Sequence, residues 1–143
     1  MNPIRSLRKY QVRKRAHYRC EYCLTHEVLG GTDFTEDHII PQVLGGSNEL
    51  NNLCWCCFYC NIYKGTSLTA IAPETNERVS IFDPRHQKWE GHFGWSADGT
   101  RILGKTPTGR ATVESLRLNR ERLVAARRFW VKHHVHPPKV MSP

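Results

Sequence analysis

Four short stretches of this chain carry residues whose types and spacing could do chemistry. Cys20 and Cys23 form one Cys-x-x-Cys pair, and Cys57 and Cys60 form another. Between them, T-E-D-H-I-I-P sets Asp37 beside His38, and N-N-L holds Asn51 and Asn52. Asn61 and Lys64 follow the second pair directly in C-N-I-Y-K-G. A Cys-x-x-Cys sets two thiolates around one tetrahedral ion, and two such pairs complete a closed four-cysteine site of the structural zinc type. Cys54-x-x-Cys57 overlaps the later pair, so the residues alone leave its register open. His38 is suited to be a general base, because an ordinary imidazole titrates near about pH 6.5. Asp37 offers a hard oxygen to Mg²⁺ or a similar ion. On a strand these two neighbours point to opposite faces, so they can share a centre only where the strand twists sharply or ends. Pro41 fits an ending strand.

The elements that must position these residues follow from local pattern. Helix formers dominate Ser6 to Ala16, with Ser6 as a candidate N-cap, in a segment that holds seven Lys and Arg up to Arg19 and no acid. This basic helix feeds the first knuckle and either contacts phosphate or presents a solvated face. A strand is expected from Phe34 to Ile40, then an extended Gly- and Asn-rich loop, then a second strand over Leu53 to Cys56. A helix starts near Phe58 and runs to Lys64, reaching Ala70 if Gly65 is tolerated. Beyond a break at Pro73 to Thr75, short strands are expected at Val79 to Phe82, Phe93 to Ser96 and Arg101 to Leu103, with a hairpin turn at Ala97 to Thr100. Trp89, Phe93 and Trp95 read as the core of that layer. Thr112 is a candidate N-cap for one long last helix over Val113 to Lys132. Its apolar stripe contains Arg120 and Arg127, which therefore need partners: intramolecular salt bridges, snorkelling, or a phosphate at a cleft edge. His133, His134 and His136 fall in a tail expected to be loose.

Composition bounds the class. A chain of 143 residues is most simply one domain and can hide about two thirds of its unfolded surface. With 39% hydrophobic residues and no apolar run long enough to span a bilayer, the expectation is a soluble protein. The N-terminus is basic without an apolar core, so no secretory signal is expected and the location is expected to be cytoplasmic. Six cysteines in that setting favour metal over disulfides. The net charge of +8 favours encounter with nucleic acid.

Taken in order, Cys20-x-x-Cys23, Asp37-His38-Ile39-Ile40-Pro41, Gly45-Gly46, Asn52-Leu53 and Cys57-x-x-Cys60-Asn61-x-x-Lys64 resemble the HNH endonucleases of the ββα-metal fold. D-P-R at Asp83 to Arg85 and G-R-A-T-V-E at Gly109 to Glu114 also look similar to accessory regions of some bacterial members. The resemblance selects Cys57 and Cys60 as the second zinc pair, leaving Cys54 and Cys56 as small apolar residues of a strand. It implies an α+β architecture: a small treble-clef-like ββα core (20–70) stapled by a zinc on Cys20, Cys23, Cys57 and Cys60. Around it would lie a basic N-terminal helix, accessory strands and a long helix (76–133), and a tail (134–143). It implies a metal-dependent endonuclease acting on DNA by nicking or double-strand cutting. His38 would be the general base, and Asp37 and Asn61 would hold catalytic Mg²⁺ or Mn²⁺. Asn52 would support the loop, and Lys64 could hold the scissile phosphate. One centre cuts one strand, and the chain could be a monomer or a weak dimer. Two other readings fit parts of the pattern: a non-catalytic zinc-stapled nucleic-acid-binding module, and a protein-interaction zinc scaffold.

Overall fold

The computed structural model describes residues 2–139. Helix α1 (Pro3–Arg15) starts earlier than a cap at Ser6 would allow. Asn2 caps it by accepting from the Ile4 amide, and Pro3 takes the first-turn position where a missing N–H costs nothing. After a knuckle and a short helix α2 (Glu27–Gly30), strand β1 (Phe34–His38) pairs antiparallel with β2 (Leu53–Cys57). The register sets Asp37 opposite Cys54 and His38 opposite Leu53. All five residues of β2 are buried. Helix α3 (Phe58–Lys64) follows β2 without a linker. It stops at Lys64 and does not continue to Ala70, because Gly65 takes positive φ.

Residues expected to extend that helix instead form β3 (Thr69–Ile71), a hairpin partner of β4 (Arg78–Ser80). Helix α4 (Trp89–His92) and the hairpin β5 (Phe93–Trp95) and β6 (Ile102–Gly104) follow, the last two joined across the expected turn. Trp89 and Phe93 are buried and Trp95 half-buried, as the sequence led us to expect of a core. The main difference lies in the last third. The expected single helix is two, α5 (Pro107–Ser115) and α6 (Glu121–Lys132). Thr106, not Thr112, caps α5 by accepting from the Gly109 amide. Thr112 is buried inside α5, where its hydroxyl accepts the Phe82 amide and donates to the Thr108 carbonyl. The break falls at Leu116–Arg120, where Arg117 takes positive φ and both Leu116 and Leu118 are fully buried. A straight helix would carry one of those two leucines away from the core.

Val12, Cys20, Tyr22, Leu53, Phe82, Phe93, Leu116 and Leu118 belong to one hydrophobic cluster. The accessory elements thus share the core of the knuckle and the first hairpin. Among the described residues no helix is long and apolar enough to cross a membrane.

The tail docks further than expected. His136 is buried, donates from Nε2 to the Gly99 carbonyl at 2.9 Å, and meets the Trp95 ring edge-on at 4.4 Å. Residues 140–143 of that tail lie outside the described residues. Burial holds the His136 pKa down to about 4. Between that value and the unfolded one near about 6.5, only the unfolded chain takes up the proton. This contribution to stability is therefore present above the unfolded value and falls as pH drops toward 4, by up to about 1.4 kcal/mol per pH unit. We expect His136→Gln to flatten this part of the acid limb when melting is followed from about pH 7 to about pH 5.

Candidate metal centre and catalytic site

Cys20, Cys23, Cys57 and Cys60 bring four buried Sγ atoms within 4.8 Å of one another. Thiolates about 2.3 Å from a tetrahedral zinc stand about 3.8 Å apart, and Cys23 and Cys57 have Sγ atoms 3.8 Å apart. All six cysteines are free. The donor set and its closed, buried geometry fit zinc. The crowded C-W-C-C-F-Y-C run therefore resolves toward Cys57 and Cys60. Cys54 and Cys56 are buried thiols on β2, one against the Tyr22 hydroxyl, and burial pushes the Cys56 thiol up to about 12. They behave as small apolar residues.

The sulfur cluster also answers what Arg120 does. This residue is half-buried and precedes α6, and it pairs with no carboxylate among the described residues. Its Nη2 donates toward Cys57 Sγ at 3.7 Å and its Nη1 toward Cys60 Sγ at 3.8 Å, while the guanidinium lies over the Tyr59 ring at 5.4 Å. Four thiolates and one Zn²⁺ leave two negative charges, so a cation in contact is favoured. Burial alone would lower the Arg120 pKa, and the facing cysteine charges raise it instead. We expect Arg120→Ala to release zinc at least several-fold faster to a chelator, followed with a zinc-sensitive dye. Arg127 finds a different solution: it is buried and donates to the Thr100 and Leu118 carbonyls and to the Asn119 side chain, with no carboxylate partner among the described residues.

Asp37 and His38 are the last two residues of β1, so their side chains leave the hairpin where it ends. Asp37 is largely buried, and its Oδ2 lies 3.1 Å from Lys64 Nζ, without hydrogen-bond geometry to it. Burial raises the Asp37 pKa, and the Lys64 charge acts against that rise. Lys64 is 1% exposed, and its Nζ also donates to the His38 carbonyl at 3.0 Å. It is therefore neither an ordinary surface lysine nor a group reaching outward. Asn61 stands one turn earlier on α3, half-buried, and its side-chain amide makes no hydrogen bond among the described residues. Residues three apart on a helix share a face, so Asn61 and Lys64 lie on one face of α3.

The loop between the strands is held by Asn52. Its Nδ2 donates to the carbonyls of Ile40 and Ser47 at 3.0 and 2.9 Å, and its Oδ1 accepts the Ile40 amide at 2.9 Å. Gly46 lies under this clamp, where a Cβ would stand 1.6 Å from the Ile40 oxygen. The sequence reading missed Asn48. Its Oδ1 is 2.7 Å from His38 Nε2 and also accepts from Gln42 Nε2. An amide oxygen only accepts, so Nε2 carries the ring hydrogen and Nδ1 is left as the basic nitrogen. The only hint of this in the sequence is that Asn48 lies in the G-G-S-N loop.

Glu21 was also missed. It is buried in the first knuckle, accepts the Trp55 amide of β2 at 2.8 Å, and pairs with Arg85. Asp83 caps the turn that delivers Arg85, accepting the Arg85 amide at 2.9 Å. The basic first helix is partly committed inward as well. Arg8 pairs with Glu36, Arg13 with Glu27, and Arg15 donates to the Leu50 and Leu53 carbonyls. Arg5, Lys9 and Lys14 remain exposed.

Residues 20–73, over a third of the chain, match the family described as HNH endonuclease. No curated protein and no solved structure matches the chain.

Proposed function

We propose, on the premise that residues 20–73 are an HNH endonuclease segment, that this protein is a metal-dependent endonuclease that hydrolyses phosphodiester bonds in DNA. One observation carries the reading. The end of β1 and the face of α3 set Lys64 Nζ against the Asp37 carboxylate and the His38 backbone carbonyl, with Asn61 one turn earlier on α3. A binding module needs no such set.

In this reading His38 Nδ1 takes the proton of the attacking water, while Asn48 holds the ring in the tautomer that leaves this nitrogen free. Asp37 and Asn61 hold the catalytic ion, and their oxygens suit a hard cation such as Mg²⁺ or Mn²⁺ better than a soft one. The ion supplies charge stabilisation at the phosphate and leaving oxygen. The Asp37 carboxylate, paired at Oδ2 with Lys64, and the Asn61 amide, without a hydrogen bond among the described residues, are the hard oxygens that would serve that role. Asn52 fixes the loop that sets the His38 backbone. Lys64 holds Asp37 and the His38 carbonyl in place, a positioning task in place of the phosphate contact expected from the sequence. Lys64 offsets the Asp37 charge, so Asp37 and Asn61 alone would hold such an ion weakly. The zinc on the four cysteines is structural and separate.

The test is a plasmid assay on zinc-loaded protein with Mg²⁺, with Mn²⁺ and with neither. Nicked or linear product only with an added divalent ion supports the proposal. Retained plasmid binding with no product under any divalent ion favours the zinc-stapled binding module instead.

A further inference from the structure

A cavity of about 570 Å³ lies apart from the centre described above. It opens beside the first knuckle, between the end of α1 and the 82–90 segment, on the side of β2 taken by Glu21. Arg15, Arg19, Arg85 and Lys88 line it, against the carboxylates of Glu21 and Glu90. Glu21 is already committed at both oxygens, one to the Trp55 amide and one to Arg85.

The guanidinium groups have donors left over. The Arg85 side chain is 9% exposed, and its Nε is buried without a partner. The Arg15 Nε is likewise buried and unpartnered, although the terminal nitrogens of Arg15 reach two carbonyls. Arg19 is half-buried and donates from Nη1 to the Leu24 carbonyl. Burial lowers the pKa of Arg15, Arg19 and Arg85, and Arg15 presses further on Arg85. Glu21 offsets Arg85, yet the cations lining the cavity outnumber its two carboxylates, and a further anion would offset that excess. Phe82 and Trp89 form an apolar wall beside them.

We propose that this cavity binds a phosphate group, held by the Arg15, Arg19 and Arg85 guanidiniums with Lys88 at the side. The phosphate could be carried by a nucleic-acid strand or by a free mononucleotide. The strand source rests on the endonuclease reading, and the mononucleotide source does not. Planar guanidinium forks match phosphate oxygens in pairs, which an incidental surface lysine does not.

The experiment measures binding to zinc-loaded full-length protein without a catalytic ion, so cleavage plays no part. The probes are inorganic phosphate, thymidine 5′-monophosphate and a fluorescein-labelled single-stranded dodecanucleotide. Wild type is compared with Arg19→Gln, with Lys88→Gln, and with Lys132→Gln as an equal charge change at an exposed site on α6. Arg19→Gln and Lys88→Gln, each with a melting temperature close to wild type, are expected to weaken binding about tenfold, while Lys132→Gln changes phosphate binding less than twofold. Loss for all three probes assigns a general phosphate pocket. Loss for the oligonucleotide alone assigns a strand contact. The proposal is overturned if both pocket variants bind every probe within twofold of wild type, or if Lys132→Gln loses as much as they do. A protein that never cuts plasmid but shows the pocket pattern keeps this site and loses the nuclease reading. A protein that cuts but lacks the pattern does the reverse.

Discussion

Cys57→Ser is expected to leave the protein without zinc and largely unfolded, whereas Cys54→Ala keeps one zinc per chain and a cooperative melt. The two cysteines sit three residues apart on β2, and both are buried. Only Cys57 shares the cluster of four sulfurs. Structural zinc in small modules contributes roughly 10–16 kcal/mol of apparent binding free energy, comparable to or larger than the net stability of a whole domain. Losing one thiolate should cost a large share of that. The knuckle also lies in the common core, beside Val12, Leu53, Phe82 and Leu116, so its collapse should spread to the accessory elements. Removing the Cys54 thiol deletes one buried sulfur near the Tyr22 hydroxyl and leaves a small void, about 1–2 kcal/mol. Zinc content by elemental analysis and far-ultraviolet circular dichroism on both variants check this. Zinc retained in Cys57→Ser and lost in Cys54→Ala would move the site to the other register.

The second large effect is at Lys64. Lys64→Met should destabilise the protein by about 3 kcal/mol, because it leaves the Asp37 carboxylate buried without its cation. Adding Asp37→Asn should recover most of that loss, since both charges are then gone. Denaturant melts of the two single variants and the double variant give the coupling directly. An additive double variant would mean that the ammonium and carboxylate do not stabilise each other. The recovered double variant should still fail to cut plasmid, because Asp37 is proposed to hold the ion.

The cysteine spacing, the first hairpin and the helix that follows were legible because their signals are local. Residue types at fixed offsets and the Pro and Gly that bound the segments carry them, although the sequence left open whether the helix ran past Gly65. Asn52 was legible from the resemblance, and its three bonds across the loop show a structural reason for an asparagine there. The rest depends on contacts distant in sequence. The 3.6-residue stripe over Val113 to Lys132 is real, yet burying both Leu116 and Leu118 splits the helix, and no local residue announces this. Arg120 stands beyond any sequence window from the sulfurs it contacts, and Arg85 likewise from Glu21. Lys64 looked like a candidate for substrate because spacing places it on the right face. Spacing does not reveal that the face turns inward onto Asp37.

The most direct test of the central claim, a hydrolytic centre beside a separate structural zinc, is single-turnover plasmid nicking by zinc-loaded wild type and His38→Ala, side by side in Mg²⁺. The account predicts equal zinc content and equal melting for the two proteins, with nicking by His38→Ala at least about 100-fold slower. Nicking by His38→Ala at the wild-type rate, or undiminished wild-type nicking once every added divalent ion is withheld, would contradict it.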